Sequence, residues 1–166
     1  MIETVLAYVT ILLIIILVAV VVNGIEEHNK KEKSKMSFME SMNLTGIPIV
    51  TFFSNDNKYN FILDTGANYS VINSSELANM KYTQSHLSTN VIGMEGNSQK
   101  VGFVTIDLEY KDNKFTEDFQ IINMDAAFTK IKQESGASIC GILGSEFFKN
   151  HKYILDFKDL IAYIKK

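Results

Sequence analysis

Asp64 is the residue of this 166-residue chain whose type and neighbours are best suited to chemistry. It follows the apolar residues 61–63 and precedes Thr65 and Gly66. A carboxylate between apolar residues is poorly solvated unless hydrogen-bond donors or a second acid compensate, and acids of this kind concentrate at functional sites. The sequence therefore predicts that Asp64 is a catalytic acid or base. A hairpin whose aspartate only caps the turn is the alternative interpretation.

Two strands are predicted to position this carboxylate. Residues 61–63 are typical of a buried strand, and Gly66 permits a tight turn directly after it. Residues 69–72 then resume an alternating pattern, which indicates a second strand. Asp64 is thus expected in the turn between two strands.

A second motif lies near the C-terminus. It consists of Ile142, Leu143 and Gly144, and two apolar runs, 153–157 and 160–164, come after it. The polar pair between those runs favours a turn, so the runs predict two adjacent strands.

From about Leu44 to Ile164 the chain resembles the retropepsin-like aspartic proteases, the single-lobe relatives of pepsin. The resemblance implies an all-β fold, a closed barrel of orthogonally packed strands that forms one lobe, with one short helix near the C-terminus. The matching residues are the catalytic loop Asp64, Thr65 and Gly66, with Ala67 beside the substrate, and the supporting motif Ile142, Leu143 and Gly144, which in the family packs beneath the loop.

The resemblance further implies an aspartic endopeptidase that hydrolyses extended polypeptides as a homodimer. The family's mechanism needs two Asp-Thr-Gly loops and this chain contains one, so an Asp64 from each protomer would lie at a two-fold axis. Two adjacent carboxylates cannot both ionise easily and share one proton, for which aspartic proteases are themselves the standard example. Ala67 offers no hydroxyl donor, which predicts activity closer to neutral pH than pepsin's. Ser145 stands where retroviral enzymes usually have Arg, so their dimer-bracing ion pair is not expected.

Residues 91–98 are typical of the tip of a glycine-containing hairpin, and an alternating strand, 100–110, follows. In the resembled family this hairpin is a flap that closes over an extended peptide and binds it through main-chain hydrogen bonds. The candidate substrate-binding residues at the tip are Gly93, Met94, Glu95 and Gly96. An ordinary surface hairpin is the alternative.

Residues 1–24 are predicted to form a single-pass membrane anchor. The run from Val5 to Val22 carries no charge and would extend about 27 Å as a helix, close to the hydrocarbon thickness of a bilayer. A cleaved signal peptide is the alternative, but no Lys precedes the run and no clear small-residue cleavage site follows it. By the positive-inside rule, the lysines after the run predict that the C-terminal domain faces the cytoplasm: Lys30, Lys31, Lys33 and Lys35.

The remaining boundaries follow from composition. Residues 25–43 are polar and lysine-rich and are predicted to be a tether, although apolar residues between 36 and 42 leave a short amphipathic helix possible. Residues 44–166 are then the protease-like domain. Within it, residues 126–138 interrupt the strand pattern and form either a short helix or a loop insertion.

Composition also disfavours several other functions. The chain has no Arg, the usual bidentate partner of phosphate and guanine, so nucleic acid is not an expected partner. Its single cysteine, Cys140, is predicted to be a buried core thiol. His28, His86 and His151 lack metal-ligand spacing, and neither a metal nor a cofactor is expected. The rival function is a membrane-tethered peptide-binding or assembly module that has the fold without hydrolysis.

Overall fold

The computed structural model describes residues 12–25, 36–92 and 98–165. The chain divides into two units, Met1–Lys35 and Met36–Lys166.

The first unit contains a helix, α1, over residues 12–25, and its large apolar side chains are exposed. Residues 5–11 of the predicted membrane span lie outside the described residues. No helix within residues 12–25, 36–92 and 98–165 combines the length and the apolar character needed to cross a bilayer.

The second unit is built mainly of strands. In chain order its elements are α2 (Phe38–Thr45), β1 (Ile49–Ser54), β2 (Asn57–Leu63), β3 (Ser70–Asn73), a 3₁₀ helix (Ser74–Asn79), β4 (Thr83–Ile92), β5 (Ser98–Tyr110), β6 (Asn113–Ile122), α3 (Asp125–Ser135), β7 (Gly141–Leu143), α4 (Ser145–Asn150), β8 (Tyr153–Asp156) and β9 (Ile161–Ile164).

Six of these strands close into a barrel. The hydrogen-bonded order is β1-β2-β7-β3-β6-β5, and pairing of Phe53 with Glu109 joins β1 to β5 and completes the ring. Strand β7 lies parallel to β2 and antiparallel to β3, so the C-terminal motif is inserted between the two strands that flank Asp64. Strand β4 pairs with β5 to form a long hairpin, and β8 pairs with β9 as a separate two-stranded sheet.

Local sequence accounts for the tight turns. Asn55 and Asp56 both adopt positive φ angles, of 47° and 64°, between β1 and β2. Two consecutive positive φ angles are the geometry of the two-residue hairpin turn that Asn and Asp tolerate best among residues with a side chain. This turn fixes the register of β2 against β1, and Asp64 follows directly after the last residue of β2.

The core of the barrel is aromatic. Phe52, Phe61, Phe119 and Phe147 are fully buried, and the ring of Phe52 meets the rings of Phe61 and Phe147 edge to face at 5.9 Å. Edge-to-face packing adds to the free energy gained by burying the rings. Cys140 is buried beside this core, and burial raises the pKa of its thiol, which confirms the prediction of a core cysteine.

Two predictions about architecture need correction. Part of the predicted tether is helical, because Ser37 caps α2 through its contact with the Glu40 amide and Gly46 ends the helix at a φ of 67°. Phe38 is buried in the barrel core, so the folded unit begins at Met36 and not at residue 44. The fold is also not purely β with one helix, since α2, α3 and α4 accompany the barrel; α3 is the helix that the sequence left open for residues 126–138.

Candidate active site

Asp64 is the first residue after β2, where the strand ends in a sharp turn. Its amide donates to the Leu143 carbonyl at 3.0 Å, and the Gly66 amide donates to Asp64 Oδ1 at 2.8 Å. Asp64 is half-buried, while Thr65 and Gly66 are exposed. The carboxylate therefore accepts one hydrogen bond from the Gly66 amide, and its backbone is tied to Leu143, in a turn that lies at the surface.

The C-terminal motif packs against this turn. A Cβ added to Gly144 would lie 2.5 Å from the Tyr69 carbonyl oxygen and 3.0 Å from that of Ala67, a separation that requires glycine. The Ser145 amide donates to the Ala67 carbonyl at 2.7 Å, and the Glu146 amide donates to that of Asn68 at 3.1 Å. The N-terminal end of α4 is thus hydrogen-bonded to Ala67 and Asn68, at the end of the Asp64–Ala67 turn and just after it.

The remaining motif residues lie on β7. Leu143 is fully buried in the main core, and Ile142 is half-buried against a smaller cluster that contains Ile49 and Phe128. The structure therefore brings the Asp64–Ala67 turn and the Ile142–Gly144 motif together, as the sequence predicts.

The predicted flap is a hairpin formed by β4 and β5. Its last described pair is Ile92 opposite Ser98, and an irregularity in register lies between Gln84 and Ser88. The four tip residues predicted to contact substrate lie outside the described residues: Gly93, Met94, Glu95 and Gly96. Their role stays a prediction.

A cavity of about 350 Å³ is lined by Tyr69, by residues of the β4–β5 hairpin and β6, and by residues in and just after α4. The Tyr69 ring lines it and meets Phe103 edge to face at 5.8 Å. Leu87 lines the cavity from β4, Glu117 lines it from β6, and His151 lines it from the residue after α4. The cavity therefore combines apolar rings with ionisable groups next to the loop.

Sequence reasoning missed the most buried acid of the described residues around this cavity. Glu117 is 6% exposed, and Ser70 donates to its Oε1 at 2.7 Å. Burial raises the pKa of Glu117 to about 7, with smaller contributions from the negative charges of Asp118 and Glu146, against the lowering effect of the Ser70 hydrogen bond. A signal exists in the sequence: Glu117 shares the inward parity of Phe115 on β6.

The histidines divide by position. His151 is half-buried with Nε2 at 3.3 Å from Glu117 Oε2, and burial lowers the pKa of its imidazole. His86 is exposed, and His28 lies outside the described residues. In the part of the chain that the structure describes, no three His, Cys, Asp or Glu side chains gather into a group that could hold a metal ion.

Comparison with known proteins agrees with this geometry. Residues 50–147 match the family model described as aspartyl protease. No protein with curated annotation matches the chain in sequence.

Among solved structures, the chain is similar to the retroviral protease-like domain of Ddi1 from Leishmania major, with 15% identity and a TM-score of 0.52 over 72% of this chain and 89% of that one. It also matches the EIAV protease in complex with the inhibitor HBY-793, at 19% identity and a TM-score of 0.44 over 65% and 90%. A third match is a retropepsin-like aspartic protease from Rickettsia conorii, at 19% identity and a TM-score of 0.40 over 67% and 77%. The likeness to the Ddi1 domain shows a shared retropepsin-like fold.

Proposed function

Because the chain belongs to the aspartyl protease family, we propose that it is an aspartic endopeptidase that hydrolyses peptide bonds in extended polypeptides. The observation that carries the proposal is the position of Asp64 at the start of an exposed turn with Thr65 and Gly66. The Asp64 amide donates to the Leu143 carbonyl, which ties this turn to the C-terminal motif. A hairpin that only needed an aspartate cap would not require a buried glycine motif packed against its backbone. This arrangement favours an enzyme over a turn of purely structural purpose.

The enzyme works as a homodimer in this proposal. One protomer supplies one Asp-Thr-Gly loop, and a two-fold axis at that loop would place a second Asp64 opposite the first. The exposure of Thr65 and Gly66 leaves the loop free to meet its copy. Strand β9 supports self-association as well, since Ile161 and Tyr163 project exposed from one face of a two-stranded sheet.

The chemistry follows from the pair. Two neighbouring carboxylates retain one proton between them. The ionised member takes a proton from a bound water, which attacks the scissile carbonyl, while the protonated member donates a hydrogen bond to the carbonyl oxygen. As the tetrahedral intermediate collapses, the proton taken from the water passes to the amine nitrogen, the C–N bond breaks, and the pair returns to its singly protonated state. Thr65 would brace the two loops, and Gly66 would let backbone approach the water.

Substrate would bind as an extended strand between the loop and the β4–β5 hairpin. Main-chain hydrogen bonds to an extended peptide give affinity that is independent of side chains, and pockets on either side set preference. Ala67 and the hairpin tip, Gly93–Gly96, are the proposed contacts. The cavity lined by Tyr69 is the proposed site of one such pocket.

Membrane anchoring is part of the proposal. The apolar side chains of α1 are exposed, and an apolar surface of this kind is typical of a site that contacts a membrane or another protein. The uncharged run from Val5 to Val22 would extend this apolar surface. A bilayer would bury these side chains, and the lysines at positions 30–35 would place the protease domain on the cytoplasmic side. Anchoring would also raise the local concentration of protomers and favour pairing.

The test uses the full chain purified in detergent, with Asp64→Asn as the matched variant, because Asn keeps the size of the side chain and removes its ionisation. Both proteins are incubated with a mixed peptide pool from acidic to neutral pH, and new termini are identified by mass spectrometry. We expect cleavage by the wild-type chain alone. Equal cleavage by both proteins would contradict the assignment.

A further inference from the structure

Ser70 links the buried acid Glu117 to the catalytic loop. Its hydroxyl donates to Glu117 Oε1 at 2.7 Å, and the same oxygen accepts the Gly144 amide at 3.2 Å. Ser70 is 1% exposed, so water does not compete for either contact. The path from Glu117 to Gly144 therefore consists of two consecutive buried hydrogen bonds.

Gly144 is the point at which this path reaches the loop. A Cβ at this position would lie 2.5 Å from the Tyr69 carbonyl oxygen and 3.0 Å from that of Ala67, so the two backbone segments are in close contact. The next residue, Ser145, donates its amide to Ala67 at 2.7 Å and its hydroxyl to Asn68 at 3.3 Å. A change in the position of the Ser70 hydroxyl would thus alter the backbone at Ala67, three residues after Asp64.

Three titratable side chains lie around the Glu117 carboxyl and determine its protonation and its hydrogen bonds. Asp118 on its own strand and Glu146 on α4 are both acidic, and His151, just after α4, has its Nε2 at 3.3 Å from Glu117 Oε2. Burial and these acids favour the protonated carboxyl up to about pH 7. A protonated carboxyl can donate to His151 through one oxygen while it accepts from Ser70 through the other.

We propose that Glu117 is a positioning residue for the catalytic loop: its carboxyl orients the Ser70 hydroxyl so that Ser70 accepts the Gly144 amide and fixes the backbone that carries Asp64. The inference rests on the proposed peptidase function for its kinetic consequence. Its structural consequence, a protected Gly144 amide, is independent of that function. A residue that only stabilised the fold would lower the population of folded enzyme without changing turnover by the folded fraction.

The experiment compares Glu117→Ala, Glu117→Gln and Ser70→Ala in the full chain, with Glu109→Gln as control for the loss of one acid, since Glu109 is a surface residue paired with Lys114. For each protein, thermal unfolding gives the folded fraction, peptide cleavage gives kcat and KM, and amide hydrogen exchange reports on Gly144. Glutamine supplies the same acceptor to Ser70 and a donor to His151.

We expect Glu117→Ala and Ser70→Ala to lower kcat about tenfold or more with KM within about twofold, because misplacement of a catalytic group acts on turnover. The Gly144 amide should exchange faster in both. Glu117→Gln should restore kcat to within about threefold of the control, with slow exchange at Gly144.

Two results would overturn the proposal: a folded Glu117→Ala protein with the kcat and Gly144 exchange of the control, or a Glu117→Gln protein as impaired as Glu117→Ala. If Glu117→Ala does not fold, Ser70→Ala takes its place in both comparisons: control values of kcat and Gly144 exchange in Ser70→Ala, or a Glu117→Gln protein as impaired as Ser70→Ala, would overturn the proposal. If the wild-type chain cleaves no peptide, the proposed function fails, and Gly144 exchange alone decides whether Glu117 positions the loop.

Discussion

The amide of Asp64 donates to the carbonyl of Leu143 at 3.0 Å. This bond continues the parallel pairing of β2 with β7, in which Leu63 lies opposite Leu143. It joins the candidate catalytic turn to a motif from the far end of the chain. The position of the carboxylate is therefore set by the closed barrel and not by the turn alone.

Gly144→Ala should disrupt this junction. The new Cβ would meet the Tyr69 carbonyl oxygen at 2.5 Å, and backbone must shift to relieve it. We expect a loss of about 1–3 kcal/mol in the free energy of unfolding, typical of overpacking, and a larger proportional loss of kcat. Denaturant titration and peptide cleavage measure the two effects.

Gly102→Ala is the matched control, because a Cβ at this strand position meets nothing within 4 Å. It should leave unfolding and turnover close to wild type. Equal effects of the two substitutions would show that the contact at Gly144 is unimportant.

Glu117→Gln should flatten the dependence of stability on pH. Burial raises the pKa of Glu117 from 4.5 to about 7, so the folded state binds more protons than the unfolded chain between these values. The stability that Glu117 contributes is present below about pH 4.5 and is lost as the pH rises to about 7, by at most about 3 kcal/mol. The glutamine protein should match wild type near pH 4 and exceed its stability near pH 8, as measured by urea unfolding at each pH.

The surface variant Glu109→Gln provides the comparison for that experiment. It removes the same charge from a side chain that is exposed, so the wild-type slope should persist. The same pH dependence of stability in the Glu117→Gln and wild-type proteins would rule out a strongly perturbed Glu117.

Ser41→Ala tests whether α2 belongs to the folded unit. The buried Ser41 hydroxyl donates to the Phe38 carbonyl and accepts the Ile49 amide at 2.9 Å. Alanine would leave that amide buried without a partner, at a cost of about 1–3 kcal/mol in unfolding free energy. Met39→Ala on the exposed side of α2 should cost little. If urea unfolding shows no difference between the two variants, α2 is not integral to the domain.

The membrane proposal predicts that the full chain floats with lipid vesicles in a density gradient. Replacing Leu13 and Leu17 with Lys should shift it to the unbound fraction, because each Lys near the centre of a span costs about 3 kcal/mol of insertion. Replacing the same two residues with Ile should leave flotation unchanged. Flotation of the lysine protein at the wild-type level would argue against a span through these positions.

Much of the site was predictable because its signals are local. Asp64 and Gly66 fall in one turn, and Gly144 follows two apolar residues, so each motif is visible in a few consecutive residues. The helix α2 also has a local signal, because Ser37 and Glu40 have the Ser-x-x-Glu spacing of a capping box. The polar composition of the segment obscured it.

The buried network was not predictable in the same way. Ser70, Glu117 and His151 come from β3, β6 and the end of α4, and their contacts exist only after the barrel closes. Inward parity on β6 places Glu117 inside, but parity does not identify its partners. Hydrophobic pattern alone would assign an apolar residue to that position.

The most direct test of the central claim mixes wild-type and Asp64→Asn chains in varying ratio at constant total concentration, after dissociation and reassembly. If each active site needs an Asp64 from both protomers, activity falls with the square of the wild-type fraction, so that activity per wild-type chain is about one half in an equal mixture. We expect this quadratic decline. Activity that falls only in proportion to the wild-type fraction would show that one protomer acts alone and would exclude an active site shared by two protomers.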